Sequence, residues 1–182
     1  MKNEVLNTIS KRRSHRKYKK TKLNEEQLQL IMNAAMESPS ALNRQPWHFS
    51  VVQNEELLDR VHNAAKKVAL TKEDRSPRYN DDNFQIFYYA PAVIFISTDD
   101  SRYAEIDAGI AAQTIALAAE SLGLGSVILG LPREAFEGEE KEDLEKILSF
   151  PEGYQFTIAV AIGVPDDTKA PHPQKEGKIT YM

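Results

Sequence analysis

Apolar positions recur at helical spacing in five stretches of the chain and form short continuous or alternating runs in four others. Val5, Leu6 and Ile9 predict a short helix from Glu4 to about Arg13. Asn24, with Gln27 three residues on, is a capping-box start, and Leu28, Ile31, Met32 and Ala35 carry that helix to about Glu37. Ser38-Pro39-Ser40 stops it, and Trp47 to Val52 reads as a strand. Asn54 caps a third helix with Leu57, Leu58, Val61, Ala64, Ala65 and Val68 inward, leaving His62 on its surface. Residues 71–83 mix acids and bases without periodicity and predict a mobile loop.

Ala92 to Ile96 is apolar throughout, as an interior strand covered on both faces requires. From about Tyr103 to Leu122 small apolar residues occupy nearly the whole circumference of a helix. Such a helix must be buried at the centre of the domain or in an oligomer interface, and Gly123 is its stop. Gly125 to Gly130 predicts a strand, 133–149 an acidic surface helix anchored by Phe136, Leu144, Ile147 and Leu148, and Phe156 to Gly163 the last strand. The tail, 165–182, holds three prolines and too little apolar surface to fold alone. These elements predict one α+β domain over 1–182, with helices around a small mixed central sheet and an extended C-terminal tail.

Composition narrows the chemistry. With no cysteine, disulfides, thiolate catalysis and iron–sulfur clusters are excluded. The histidines at 15, 48, 62 and 172 lack metal-ligand spacing, and no serine sits in a hydrolase-like context. The N-terminus is polar and no apolar run approaches the roughly 20 residues of a membrane span, so a soluble cytoplasmic protein with no membrane partner is expected. Net charge is −4, yet residues 11–20 hold seven of the 23 Lys and Arg residues and no acid. The rest of the chain therefore carries −11, and an anion is expected at one place near the N-terminus.

Arg12-Arg13-Ser14-His15-Arg16 combines guanidiniums and a hydroxyl that can clasp a phosphate, although an isolated basic run is more often a solvated patch. Ser38-Pro39-Ser40-Ala41-Leu42-Asn43-Arg44-Gln45-Pro46-Trp47-His48-Phe49 offers hydroxyls, amides and prolines without an acid/base pair. It suits the rim of a polar heterocycle, or equally an elaborate helix-to-strand connection. Trp47 reads as a core aromatic.

Taken together, the patterns RRSxRxY and SPSxxNxQPWxF resemble the FMN-binding signature of the nitroreductase family. The resemblance continues through Ala90-Pro91, the Gln-bearing central helix ending at Gly123-Leu124-Gly125, and the basic tail, and so spans nearly the whole chain. It implies that Arg12 and Ser14 hold the FMN phosphate, that Arg13 is a neighbouring cofactor contact, and that Arg16 lies by the N1–C2=O edge of the ring. A fixed cation there stabilises the charge that two-electron reduction places on that edge. Pro39, Ser40 and Asn43 would reach the flavin of a partner subunit, and Asn83 would contact the flavin. The backbone of Ile128, Leu129 and Gly130 would lie near the ring, and Lys175 and Lys178 would supply a phosphate contact from the tail. Where many relatives have a second lysine near the pyrimidine, Ile86 stands here.

The resemblance further implies a homodimer with FMN at the interface, and NADH or NADPH as a transient donor in a ping-pong reaction. The acceptor would be small, such as a nitroaromatic or a quinone. No side chain is assigned as catalytic, since the chemistry resides on flavin N5. The absence of GxGxxG fits a nicotinamide that lands on the flavin face and needs no Rossmann domain. Two other readings compete. A flavin carrier or sensor without turnover would share the fold. A nucleic-acid module using residues 11–20 is opposed by the −11 elsewhere and by the want of an aromatic stacking platform, so no nucleic-acid partner is expected.

Overall fold

A computed structural model describes residues 3–182. Five helices, α1 (Glu4–Lys11), α2 (Glu25–Met36), α3 (Glu55–Ala69), α4 (Ala104–Ser121) and α5 (Lys141–Ile147), surround four strands. The strands are β1 (Trp47–Val52), β2 (Ala92–Thr98), β3 (Gly125–Leu129) and β4 (Gln155–Gly163), in the order β1-β2-β4-β3. The α+β architecture is the expected one. All three ladders are antiparallel, and the parallel contact is the isolated bridge between Ser14 and Ser126.

The sheet separates two cores. Strand alternation sends Val93, Phe95, Val127, Leu129, Ala159 and Ala161 to one face, against α3, α5 and the 3-10 turn Leu131–Phe136. It sends Ile94, Ile96, Val160 and Ile162 to the other, against α2 and α4. β2 is buried at every position, as its unbroken apolar run predicts. α4 buries eight residues and ends at Gly123 in the left-handed region (φ 73°), a conformation glycine adopts without steric cost.

Caps set the helix starts. Asn24 accepts from the Gln27 amide while Gln27 reaches back to the Asn24 amide, and Asn54 caps α3 through Leu57. Several boundaries depart from the sequence reading. α1 stops at Lys11, two residues early, because Arg12 turns extended (ψ 130°) so that Ser14 can pair with Ser126. The acidic stretch is not one helix. It breaks into Leu131–Phe136 and α5 at Gly138, whose approach to Val68 leaves no room for a side chain, and Ile147 faces solvent instead of anchoring. Within 71–83, Ser76 caps a 3-10 turn at Pro77–Asn80 that buries Tyr79. His62 is not on the surface of α3. It is buried, and the Ile86 amide donates to its Nδ1 at 3.4 Å. From Thr168 on, the tail is exposed and forms neither helix nor strand.

Candidate flavin site

The basic motif crosses one end of the sheet. The His15 amide donates to the Ser126 carbonyl at 3.0 Å, and two residues later the chain pairs with the exit of β4, Lys19 donating to Val164 and Asp166 to Lys17. Two glycines permit this close approach. A Cβ on Gly125 would stand 2.9 Å from the His15 ring, and one on Gly163 would stand 2.9 Å from the Tyr18 ring. Tyr18 is buried beneath the segment, its hydroxyl donating to the His15 carbonyl, and burial pushes its phenol well above the usual range.

This geometry sorts the motif's side chains. Arg12 and Ser14 are half-buried and Arg16 is exposed. Among the described residues, none of the seven cations of 11–20 forms an ion pair. Arg13 differs from its neighbours, because its guanidinium donates to the Ser10 and Arg12 carbonyls at the end of α1. Arg12 and Ser14 make no side-chain hydrogen bond among the described residues, and the nearby Ser126 hydroxyl is buried without a partner. Unspent donors and unpaired cations at one place fit a phosphate. The Arg16 guanidinium lies over Tyr88, whose ring is also approached by Arg78 and packs edge-on against Phe84.

Among the described residues the carboxylate bonded to the motif is that of Asp167, and both its oxygens are engaged. Asp167 Oδ1 lies 2.5 Å from His15 Nδ1, and Asp167 Oδ2 accepts from the Arg16 amide (3.4 Å) and pairs with Lys169 (3.3 Å). Burial pulls the Asp167 carboxyl upward, but the bonds from His15, the Arg16 amide and Lys169 outweigh it and hold the group below the usual carboxylate range.

The other expected site residues fall into three groups. Ile128 and Leu129 continue β3 from Ser126, with Gly130 just beyond, so they share an edge with Ser14. That edge carries no further pairing among the described residues. Pro39, Ser40 and Asn43 lie in a protruding loop. Leu42, Asn43 and Gln45 there adopt left-handed φ of 50–56°, and Leu42 is 89% exposed. Asp107 accepts from the Ala41 amide and Ser40 from Gln45, which pins this costly shape. Asn83 is exposed, its carbonyl accepting from the Tyr89 hydroxyl, in a segment where Tyr88 and Tyr89 are also left-handed. Ile86 is fully buried in the core. Lys175 and Lys178 are exposed in the tail and form no ion pair with an acid among the described residues.

Sequence reasoning missed Asp167, Tyr88 and Arg78. Asp167 had no local signal, being the second of two acids after Pro165, and only the return of β4 beside residues 15–19 brings it to His15. Cavities of about 240, 250 and 470 Å³ open elsewhere, and none of them is lined by Arg12, Ser14 or Arg16. Among the described residues no group of three metal-ligating side chains occurs, and no helix is long and apolar enough to cross a membrane.

Comparison with known proteins identifies the family and the fold. The model of the Nitroreductase family matches residues 9–164. A crystal structure of a nitroreductase with bound FMN from Desulfitobacterium hafniense superposes with a TM-score of 0.93 at 40% identity, covering 100% of both chains. The FMN reductase [NAD(P)H] of Bacillus subtilis is 30% identical over 94% of this chain and 70% of its own length. The iodotyrosine deiodinase of Thermotoga neapolitana is 26% identical over 97% of each chain.

Proposed function

The chain belongs to the Nitroreductase family, and on that premise we propose that it is an FMN-dependent oxidoreductase passing electrons from NADH or NADPH to a small acceptor. The observation that carries the reading is that Arg12, Ser14 and Arg16 lie on one backbone segment fixed to β3 and that, among the described residues, no carboxylate pairs with either guanidinium. FMN, when bound, supplies the two-electron chemistry. Arg12 and Ser14 hold its phosphate, Arg16 places a cation at the ring edge, and Ile128, Leu129 and Gly130 border it from β3. Asn83 adds a contact, and Lys175 and Lys178 close over the phosphate from the tail. The acceptor is a quinone or nitroaromatic, and donor and acceptor occupy the same face in turn, a ping-pong sequence in the cytoplasm. A relative that removes iodine from an aromatic ring is consistent with a scaffold whose acceptor is chosen by pocket walls and not by the cofactor cradle.

The working unit is a homodimer with FMN at its interface. Val5, Leu6 and Ile9 are exposed apolar residues on α1, which lies against α4, and Ile106 and Ile110 are exposed on α4 itself. Apolar area on adjoining helices favours burial against a second copy. The loop bearing Pro39, Ser40 and Asn43 then reaches the partner's cofactor, which accounts for its strained protrusion.

An anaerobic visible spectrum of the purified protein tests the proposal. A flavin band that bleaches with NADH or NADPH and returns with a quinone or nitroaromatic is the expected result. A band that refuses to bleach assigns a carrier or sensor. No band after reconstitution with FMN refutes the reading.

A further inference from the structure

Asp167 stands out as a half-buried acid inside a cationic neighbourhood, 151 residues from Arg16 and 152 from His15. A carboxylate only accepts hydrogen bonds, so His15 Nδ1 carries the proton in the 2.5 Å contact. The two carboxylate oxygens are divided between the side chain of His15 and the main chain of Arg16, so one acid fixes two consecutive residues of the motif. His15 is in turn fixed from three other directions. Its amide donates to Ser126, its carbonyl accepts from the Tyr18 hydroxyl at 2.9 Å, and its ring fills the space left by Gly125. Arg16, by contrast, is exposed, and among the described residues its guanidinium makes no hydrogen bond or ion pair and rests over the Tyr88 ring. Among the described residues its own amide donates to Asp167 alone, while its flanking residues are tied by the His15 amide to Ser126 and by the Asp166 amide to Lys17.

We propose that the Asp167–His15 pair is a positioning device that fixes the Arg16 guanidinium at the edge of the flavin, and thereby sets the cofactor's affinity and its reduction potential. The proposal rests on the FMN-binding reading given above. It assigns neither residue to the chemistry, since Asp167 acts on the cofactor through Arg16. An isolated anion near the ring would disfavour the reduced flavin, whereas an anion spent on orienting a guanidinium favours it. The two roles therefore predict opposite signs for the removal of Asp167.

The experiment measures FMN affinity of the apoprotein by fluorescence titration, and the midpoint potential of the holoprotein against a reference dye. Wild type, Asp167→Ala, Asp167→Asn and His15→Phe are compared, each alone and with Arg16→Ala. His15→Phe keeps a ring against Gly125 and removes only the donor, which guards against misfolding of the Asp167 variants. Asp167→Ala is expected to bind FMN about tenfold more weakly. Its potential should fall by about 30 mV, a tenfold loss of preference for the reduced form. Asp167→Asn, which keeps one acceptor oxygen, should recover part of both, and His15→Phe should shift both in the same direction. With Arg16→Ala present, none of these changes should alter the potential further. An unchanged potential, a more positive one, or an equal shift without Arg16 would each overturn the proposal. Wild-type protein that binds no FMN would overturn it together with the reading beneath it, whereas tight wild-type binding matched by Asp167→Ala would overturn this inference alone.

Discussion

The guanidinium carbon of Arg16 lies 5.8 Å from the centre of the Tyr88 ring, and that of Arg78 lies 6.0 Å from the same centre. Two cations thus share one aromatic ring, and neither forms an ion pair among the described residues. Tyr88 holds a left-handed backbone (φ 56°) to present that ring, a conformation uncommon for a bulky residue. Like charges so placed repel, and an anion seated beside them would relieve the repulsion.

Arg16→Ala should therefore make the potential of the bound flavin more negative. Losing about 1.4 kcal/mol of differential stabilisation corresponds to roughly 30 mV for a two-electron couple. Arg16→Lys should recover part of the shift, because it keeps charge but not the planar stack. Equilibration with a dye of known potential reads both, and an unchanged value in Arg16→Ala would remove Arg16 from the ring edge.

Phosphate recognition can be separated from ring recognition by ligand choice. Arg12→Ala and Ser14→Ala each remove a donor that makes no side-chain hydrogen bond among the described residues, so little of the fold should change with them. Arg12→Ala should weaken FMN by about 1.5–3 kcal/mol, the worth of a charge-assisted hydrogen bond, and leave riboflavin binding nearly unaltered. Equal losses for both ligands in fluorescence titrations would place Arg12 away from the phosphate.

Assembly offers a third test. Ile106→Asp together with Ile110→Asp puts two charges at these exposed positions of α4 without touching its buried face. Burying unpaired carboxylates costs several kcal/mol, so the variant should sediment as a monomer and lose FMN at least about tenfold. A dimer of wild-type stability would relocate the interface.

How much of this was legible in the chain depended on whether the cause was local. Period and caps give the helices and strands, because Asn24, Asn54 and the apolar run of β2 act on their own neighbourhoods. The split of 133–149 was hidden, since it follows from Gly138 meeting Val68 on a distant helix. The cationic motif was readable as a string, but the partition of its side chains was not. Arg13 turns to helix carbonyls, and Asp167 reaches His15 and Arg16 only because β4 returns beside β3. His62 was misplaced for the same reason, as its cover comes from the segment around Ile86 and not from α3.

That buried histidine carries the last prediction. Burial lowers the His62 pKa below its ordinary value, Lys66 lowers it further, and Asp59 opposes them weakly. The Ile86 amide donates to Nδ1, which only a neutral ring can accept. Between its depressed folded value and the unfolded value near 6.5, the unfolded chain binds the extra proton. The stabilising contribution is therefore complete above about pH 6.5 and is lost as pH falls through that window. Thermal unfolding of the apoprotein should show a midpoint that declines from pH 7.5 to 5.5. His62→Gln keeps an acceptor for Ile86 but cannot titrate, and it should flatten that decline even if it lowers the midpoint at pH 7.5 by a few degrees. A His62→Gln profile parallel to wild type would assign the acid sensitivity to another group, and would mean that His62 is hydrated enough to charge without cost.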